Sequence, residues 1–226
     1  MHLVIFDIDG TLIHSHDEEA DCFERALCHV TGISEITKDL QSYQHVTDTG
    51  IAHECIVNHL NRPPTAEELT AIEELFLSHF EQSLIVSPTM PIPGAYDLLS
   101  HFYKQPDFCL AIATGSYFRS ALLKLQHAAL DFTLPLATCN DSVSRIEIMK
   151  TAVSKAQTTY QQPDFESITY LGDGPWDIAA VKALQWKFIG IASNYSHEML
   201  KNCGAEMIVD DYLCNADKLM QHIRQN

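Results

Sequence analysis

Two carboxylates stand two residues apart in Asp7-Ile8-Asp9-Gly10-Thr11, directly after the unbroken apolar run Leu3-Val4-Ile5-Phe6. In an extended chain residues i and i+2 project to one side, so both acids are expected together at the carboxyl end of a buried strand. Open α/β sheets bind their ligands outside that end, and Gly10 permits the sharp turn that must follow. A second acidic segment, Gly172-Asp173-Gly174-Pro175-Trp176-Asp177, follows another apolar run. Acids in the first turn of a helix gain from its dipole with no function at all, and single acids at strand ends are ordinary. Two strand ends that each supply carboxylates nevertheless assemble hard oxygen ligands of the type Mg²⁺ prefers.

Thr114-Gly115-Ser116 ends a third apolar run. A hydroxyl and backbone N–H groups at a helix start can cradle a phosphate, although Ser and Thr are also common helix caps. Arg145 opens the helix before the Gly-Asp segment and Lys150 lies five residues on; either could clamp an anion at the mouth of the acidic cluster, or be a solvated helix charge. Twelve histidines are scattered along the chain. Of these, His14 and His16 fall where the chain leaves the first strand, and they are carried as specificity candidates together with Arg25 and Arg62. Trp176 is expected to pack at its helix start rather than stack on a ligand.

The elements that must position these groups follow from apolar spacing. Short buried runs recur at Phe108–Ala113, Leu134–Ala137, Ile168–Leu171, Phe188–Ala192 and, more weakly, Met207–Val209. Helical patterns separate them. A helix over Ser116–Ala128 turns Phe118, Ala121, Leu122 and Leu125 inward, and Pro175 opens another that carries Ile178, Val181 and Leu184. Strands alternating with helices predict an α/β fold built on a doubly wound parallel sheet. One connection breaks the rhythm, because about a hundred residues separate the first two strands, far more than a crossover helix needs. That stretch reads as helical, with stripes at Phe23, Ala26, Leu27 and Val30, at Ala52, Cys55, Ile56 and Leu60, and at Leu69, Ile72, Leu75 and Phe76. A T-x-x-E box at Thr65 and Glu68 opens the third. Residues 15–86 are therefore expected to form an α-helical domain inserted over the sheet's carboxyl edge. Residues 1–14 and 87–226 would make the α/β domain, and Ser87–Gly94, with three prolines, a stiff return linker.

Composition narrows the partners. The 226 residues are 46% hydrophobic and 19% charged, with a net charge of −16, which suits a globular chain and argues against nucleic acid and anionic membranes. Seven cysteines without a C-x-x-C pair speak against a disulfide framework. No apolar run approaches a membrane span and no signal peptide is visible, so a cytoplasmic protein is expected. Monomer and homodimer are equally compatible with these features.

Taken together, in order and spacing over nearly the whole chain, the four segments resemble the haloacid-dehalogenase superfamily. The helical insert is similar to the cap of its phosphoglycolate-phosphatase-like members. Asp7-x-Asp9-Gly10-Thr11 matches the nucleophile motif, Thr114 the Ser/Thr motif, and Asp173 with Asp177 the Gly-Asp-x-x-x-Asp motif. Register favours Arg145 for the Lys/Arg motif, and side-chain type leaves Lys150 as second choice. The resemblance implies a Rossmann-like core and a phosphatase acting on a small phosphorylated metabolite. Asp7 would be the nucleophile and Asp9 the general acid/base. Mg²⁺ would be held by Asp7, the Asp9 carbonyl, Asp173 and Asp177, and the phosphate by Thr114, Gly115 and Arg145. A phosphomutase of the beta-phosphoglucomutase type would share every one of these residues. A dehalogenase generally lacks Asp9, and phosphonatase chemistry needs an insert lysine, for which Lys38 is the sole and unremarkable candidate. A non-catalytic phosphate-binding regulatory module remains the alternative from another class; receiver domains pair adjacent acids and carry no long insert.

Overall fold

The computed structural model describes residues 1–15 and 17–225. Six parallel strands form one sheet: β1 His2–Phe6, β2 Phe108–Ala113, β3 Leu136–Ala137, β4 Ser167–Gly172, β5 Lys187–Ile191 and β6 Met207–Val209, in the order β3-β2-β1-β4-β5-β6. The apolar runs become strands because both of their faces are covered. Leu3 and Ile5 join one apolar cluster and Val4 and Phe6 the other, and Cys109, Ala111 and Ala113 alternate likewise with Phe108, Leu110 and Ile112. Burying each large aliphatic or aromatic side chain contributes about 1.5–3 kcal/mol, so a one-residue slip of register would be very costly.

Nine α-helices occur among the described residues. α4 (Ala95–Tyr103), α5 (Phe118–His127) and α9 (Ala216–Arg224) cover one face; α6 (Arg145–Tyr160), α7 (Pro175–Leu184) and α8 (His197–Cys203) cover the other. Between β1 and α4 come α1 (Asp17–Thr31), a 3-10 turn at Leu40–Ser42, α2 (Asp48–Leu60) and α3 (Ala66–Val86). The Thr65–Glu68 box forms as read: the Glu68 N–H donates to Thr65 Oγ1 at 3.2 Å and the Thr65 N–H to Glu68 Oε2 at 2.9 Å. These helices do not have a core of their own. Phe23, Ile56, Phe76 and Phe80 belong to the same apolar cluster as Leu3, Ile5 and the α6–α8 layer, with the Phe76 ring 5.9 Å from that of Tyr117.

Leaving and returning passes of the chain are tied together. The His14 N–H donates to the Met90 carbonyl and the Ile92 N–H to the Leu12 carbonyl, both at 2.9 Å, around an antiparallel bridge between Ile13 and Pro91. The proline-rich linker is thus half of a short ribbon.

Two expectations need correction. β3 is shorter than its apolar run, with Leu134 outside it. α5 is also rotated relative to its apparent stripe: Phe118 and Leu122 are 45% and 46% exposed, while Ser120, Ala121, Lys124 and Leu125 are buried. The cause is Lys124, whose ammonium finds enough buried partners to occupy an interior position that spacing assigns to an apolar side chain.

Candidate active site

The sheet order reverses between β1 and β4, so the crevice beyond their carboxyl ends is the topological switch point where such sheets bind ligands. Asp7 follows β1, and its N–H extends the ladder to the Leu171 carbonyl at 2.9 Å. Asp173 follows β4, and Asp177 lies in the first turn of α7. One carboxylate oxygen from each of Asp7, Asp173 and Asp177 falls within 4.8 Å of the others, and all three residues are buried. Asp7 Oδ1 accepts from the Ile8 N–H at 2.8 Å, and Asp177 Oδ2 from the Gly174 N–H at 3.2 Å. Asp177 Oδ1 is buried and has no hydrogen-bond partner.

Burial, then Asp177 and Asp9, push the Asp7 carboxyl up to about 7 against the pull of Arg145. Burial, followed by Asp177 and Asp7, raises Asp173 well above the usual range, and burial raises Asp177 as well. Three buried carboxylates crowded together favour their protonated forms unless cations balance them. The donor set of hard oxygens, with Asp177 Oδ1 free of any hydrogen bond, therefore fits a divalent cation such as Mg²⁺. No side chain fits at position 10, where φ is +68° and a Cβ would sit 2.2 Å from Asp173 Oδ2.

Arg145, at the start of α6, brings its guanidinium 3.4 Å from both Asp7 Oδ2 and Asp177 Oδ1 and donates to the Val46 carbonyl at 3.3 Å. Burial pulls the guanidinium down, but Asp177 and Asp7 raise it further and keep it charged. Lys150 pairs with Glu147 at 2.8 Å on the exposed side of α6, so the ambiguity between the two basic residues closes in favour of Arg145 at the cluster. Thr114 is buried and its Oγ1 accepts from the Ser116 N–H at 3.2 Å. Gly115 receives the insert directly: the Asp48 N–H donates to its carbonyl at 2.8 Å, and a Cβ there would meet the Val46 carbonyl at 2.8 Å.

Asp9 departs from the simple i, i+2 picture. β1 ends at Phe6 and the chain coils around the Ile8 carbonyl, which accepts from the N–H groups of Thr11, Leu12 and Ile13. The Asp9 carboxylate consequently has a separate set of partners from Asp7. Its Oδ2 accepts from Lys124 Nζ at 2.6 Å and from Ser116 Oγ at 3.0 Å. Lys124 also donates to Glu19 Oε1 of α1 at 2.7 Å and to Ser116 Oγ at 2.8 Å. Burial lowers the Lys124 ammonium's affinity for its proton, yet Asp9, Glu19 and Asp48 more than compensate and keep it protonated. Glu19 is driven by burial up to about 8 despite Lys124, and Asp48 up to about 6.

Lys124, Glu19 and Asn194 are the residues that the motif reading missed. Asn194 Nδ2 donates to Asp173 Oδ2 and to Ser15 Oγ, each at 2.7 Å. A position just beyond β5, at the same sheet edge as the acids, was the available signal for it. Of the specificity candidates, Arg62 binds Glu68 on the surface and Arg25 contacts Cys22 Sγ at 3.3 Å. Neither lines the cavity over the acids, nor does His14, and His16 lies outside the described residues. That cavity, about 440 Å³, takes in Asp7, Asp9, Thr114, Gly115, Arg145 and Asp173. Trp176 lines it too, edge-on to Tyr195 with ring centroids 5.8 Å apart.

The sequence matches the family model for haloacid dehalogenase-like hydrolases over residues 1–185. The chain belongs to that family. Among curated proteins it is 25% identical to the probable phosphatase IndB of Dickeya dadantii (strain 3937) over 218 residues, 93% of this chain and 90% of that protein. Among solved structures it is similar to a hydrolase from Pseudomonas syringae, with a TM-score of 0.75, 20% identity and coverage of 98% and 99% of the two chains. It is likewise similar to CbbY from Rhodobacter sphaeroides in complex with phosphate, with a TM-score of 0.70, 16% identity and coverage of 93% and 94%. As a member of this family the chain is a hydrolase-type enzyme on a Rossmann-like core, and none of its described helices is long and apolar enough to cross a membrane.

Proposed function

We propose that this hydrolase is a Mg²⁺-dependent phosphatase that cleaves a small-molecule phosphate monoester through an aspartyl-phosphate on Asp7. The observation that carries the reading is the convergence of Asp7, Asp173 and Asp177 within 4.8 Å beside Arg145, at the switch point of the sheet. When bound there, Mg²⁺ would neutralise charge so that an anionic nucleophile can meet an anionic phosphate; Asp7, the Asp9 carbonyl, Asp173 and Asp177 are the residues that would hold it. Thr114, the Gly115 N–H and Arg145 hold the phosphoryl oxygens, where negative charge accumulates during transfer.

In the first step an Asp7 carboxylate oxygen forms a bond to phosphorus as the ester P–O bond breaks, and the Asp9 carboxyl gives its proton to the departing alcohol. In the second, Asp9 takes a proton from water, whose oxygen attacks the phosphorus and releases inorganic phosphate from Asp7. Ser116 and Lys124 hold Asp9 for both proton transfers. In this reading residues 15–86 are a cap domain over the residue 1–14 and 87–226 core, and they select the substrate.

Two measurements test this. Asp7→Asn, assayed for phosphate release, is expected to lower kcat by at least about 10⁴-fold with an unchanged circular-dichroism spectrum. Chelation with EDTA is expected to abolish turnover, and Mg²⁺ to restore it. Undiminished activity in either experiment defeats the proposal.

A further inference from the structure

The cavity has two unlike halves, and the half supplied by the insert says what the substrate's organic part must be. Among the described lining residues, Arg145 is the sole side chain with a permanent positive charge. It sits at the acid cluster, already 3.4 Å from Asp7 and Asp177. The insert contributes Phe23, Leu40, Val46, Ile51 and Phe76. Its only charged lining groups among the described residues are two acids, Glu19 and Asp48. Its arginines and its lysine are engaged elsewhere: Arg62 with Glu68, Arg25 with Cys22, and Lys38 with Asp21. Beyond the insert, Lys124 is taken up by Asp9, Glu19 and Ser116 and does not line the cavity.

A second phosphate or a carboxylate on the substrate would therefore leave water to face an apolar wall and two acids, with no cation among the described residues to receive it. Desolvating an unpaired anion is among the most unfavourable steps in binding. An apolar body gains from the same wall, and aromatic side chains give it flat surfaces to pack on.

We propose that the substrate is a phosphate monoester carrying no second anionic group, whose organic part presents an apolar face to Phe23, Leu40, Ile51 and Phe76. Bisphosphorylated sugars and phosphoglycolate are thereby disfavoured, and so is phosphomutase chemistry that must hold a phosphate at each end of a sugar. This rests on the phosphatase reading and specifies its substrate class.

The test compares kcat/KM for phosphate release from three unactivated esters with Mg²⁺: 2-phenylethyl phosphate, 2-phosphoglycolate and glucose 1,6-bisphosphate. The apolar ester is expected to lead by at least about 100-fold. A Leu40→Arg variant, at a position already 36% exposed, is expected to narrow that lead by about tenfold or more by giving the second anion a partner. Equal or better turnover of either anionic ester by the unaltered protein overturns the substrate class while leaving the phosphatase standing. A lead that Leu40→Arg does not narrow shows that the organic part does not meet this wall, and overturns it too. No phosphate release from any of the three defeats the phosphatase reading itself, and the substrate class with it.

Discussion

Around Asp173, three buried carboxylates converge and two of them, Asp7 and Asp177, pair with one guanidinium; around Lys124, one buried ammonium is shared by Asp9 and Glu19 with a serine hydroxyl completing its shell. Both clusters border one cavity, and each keeps one buried carboxylate oxygen without a hydrogen bond, Asp177 Oδ1 in the first and Asp9 Oδ1 in the second; they differ in how far cations balance their acids. The first sets three converging carboxylates against a single guanidinium, a surplus of negative charge that fits a divalent cation. The second gives its one ammonium three hydrogen-bond partners and ends on a proposed catalytic acid. The larger surplus of acids thus marks where a cation fits, and the more nearly balanced group marks what holds the machinery in place.

The sharpest way to break this contrast is Lys124→Met. Removing the buried ammonium leaves the partly exposed Glu19 and Asp9 without their cation, which is expected to lower stability by about 2 kcal/mol in denaturant melts. It should also cut kcat by about 10²–10³-fold as Asp9 loses its orientation. The double variant Lys124→Met/Glu19→Gln should regain much of the stability and little of the rate. Recovery of both would reduce Lys124 to a structural role.

A middle-sized effect is expected from pH, to which acids of both clusters contribute in the same direction. Asp7, Asp48 and Glu19 are held up at about 7, 6 and 8 from ordinary values of 3.8, 3.8 and 4.5. Between those limits the folded chain binds more protons than the unfolded one, so stability is expected to fall as pH rises from about 4 to about 8. For metal-free protein the Tm should drop by on the order of 5 °C from pH 5 to pH 8. Mg²⁺ should flatten the slope by favouring ionised Asp7. A Tm that rises with pH in EDTA would contradict the charge balance described for the site.

The smallest effects are expected outside both clusters. Lys150→Ala and Arg62→Ala should each keep kcat/KM within about twofold, as for exposed charges in general. A tenfold loss in Lys150→Ala would reopen its competition with Arg145.

Sequence reading located the first cluster and not the second, for a physical reason. Asp7, Asp173 and Thr114 each terminate an apolar run, and parallel strands align their carboxyl ends at one edge, so local pattern and sheet topology together predict that they meet. Lys124 and Glu19 lie 105 residues apart on different helices, and no periodicity announces a long-range ion pair. The α5 stripe was misphased because a lysine occupying an interior position looks, in a list of apolar residues, like a surface one. Arg25 and Arg62 carry charge but no motif, and they settle away from the cavity, Arg25 on α1 against Cys22 and Arg62 between α2 and α3 against Glu68. The helices α1, α2 and α3 between the first two strands were legible from their stripes, whereas their merging with the α6–α8 layer into one apolar cluster depends on packing that spacing does not encode.

The ribbon of residues 12–14 and 90–92 has an architectural consequence. Because outgoing and incoming backbone are laced to each other before the excursion begins, the long detour meets the sheet at a single doorway. The strands' threading is therefore closed ahead of the detour, and what the detour contributes reaches the reaction centre through its own groups, Glu19 on Lys124 and the Asp48 N–H on Gly115, rather than through the path of the backbone.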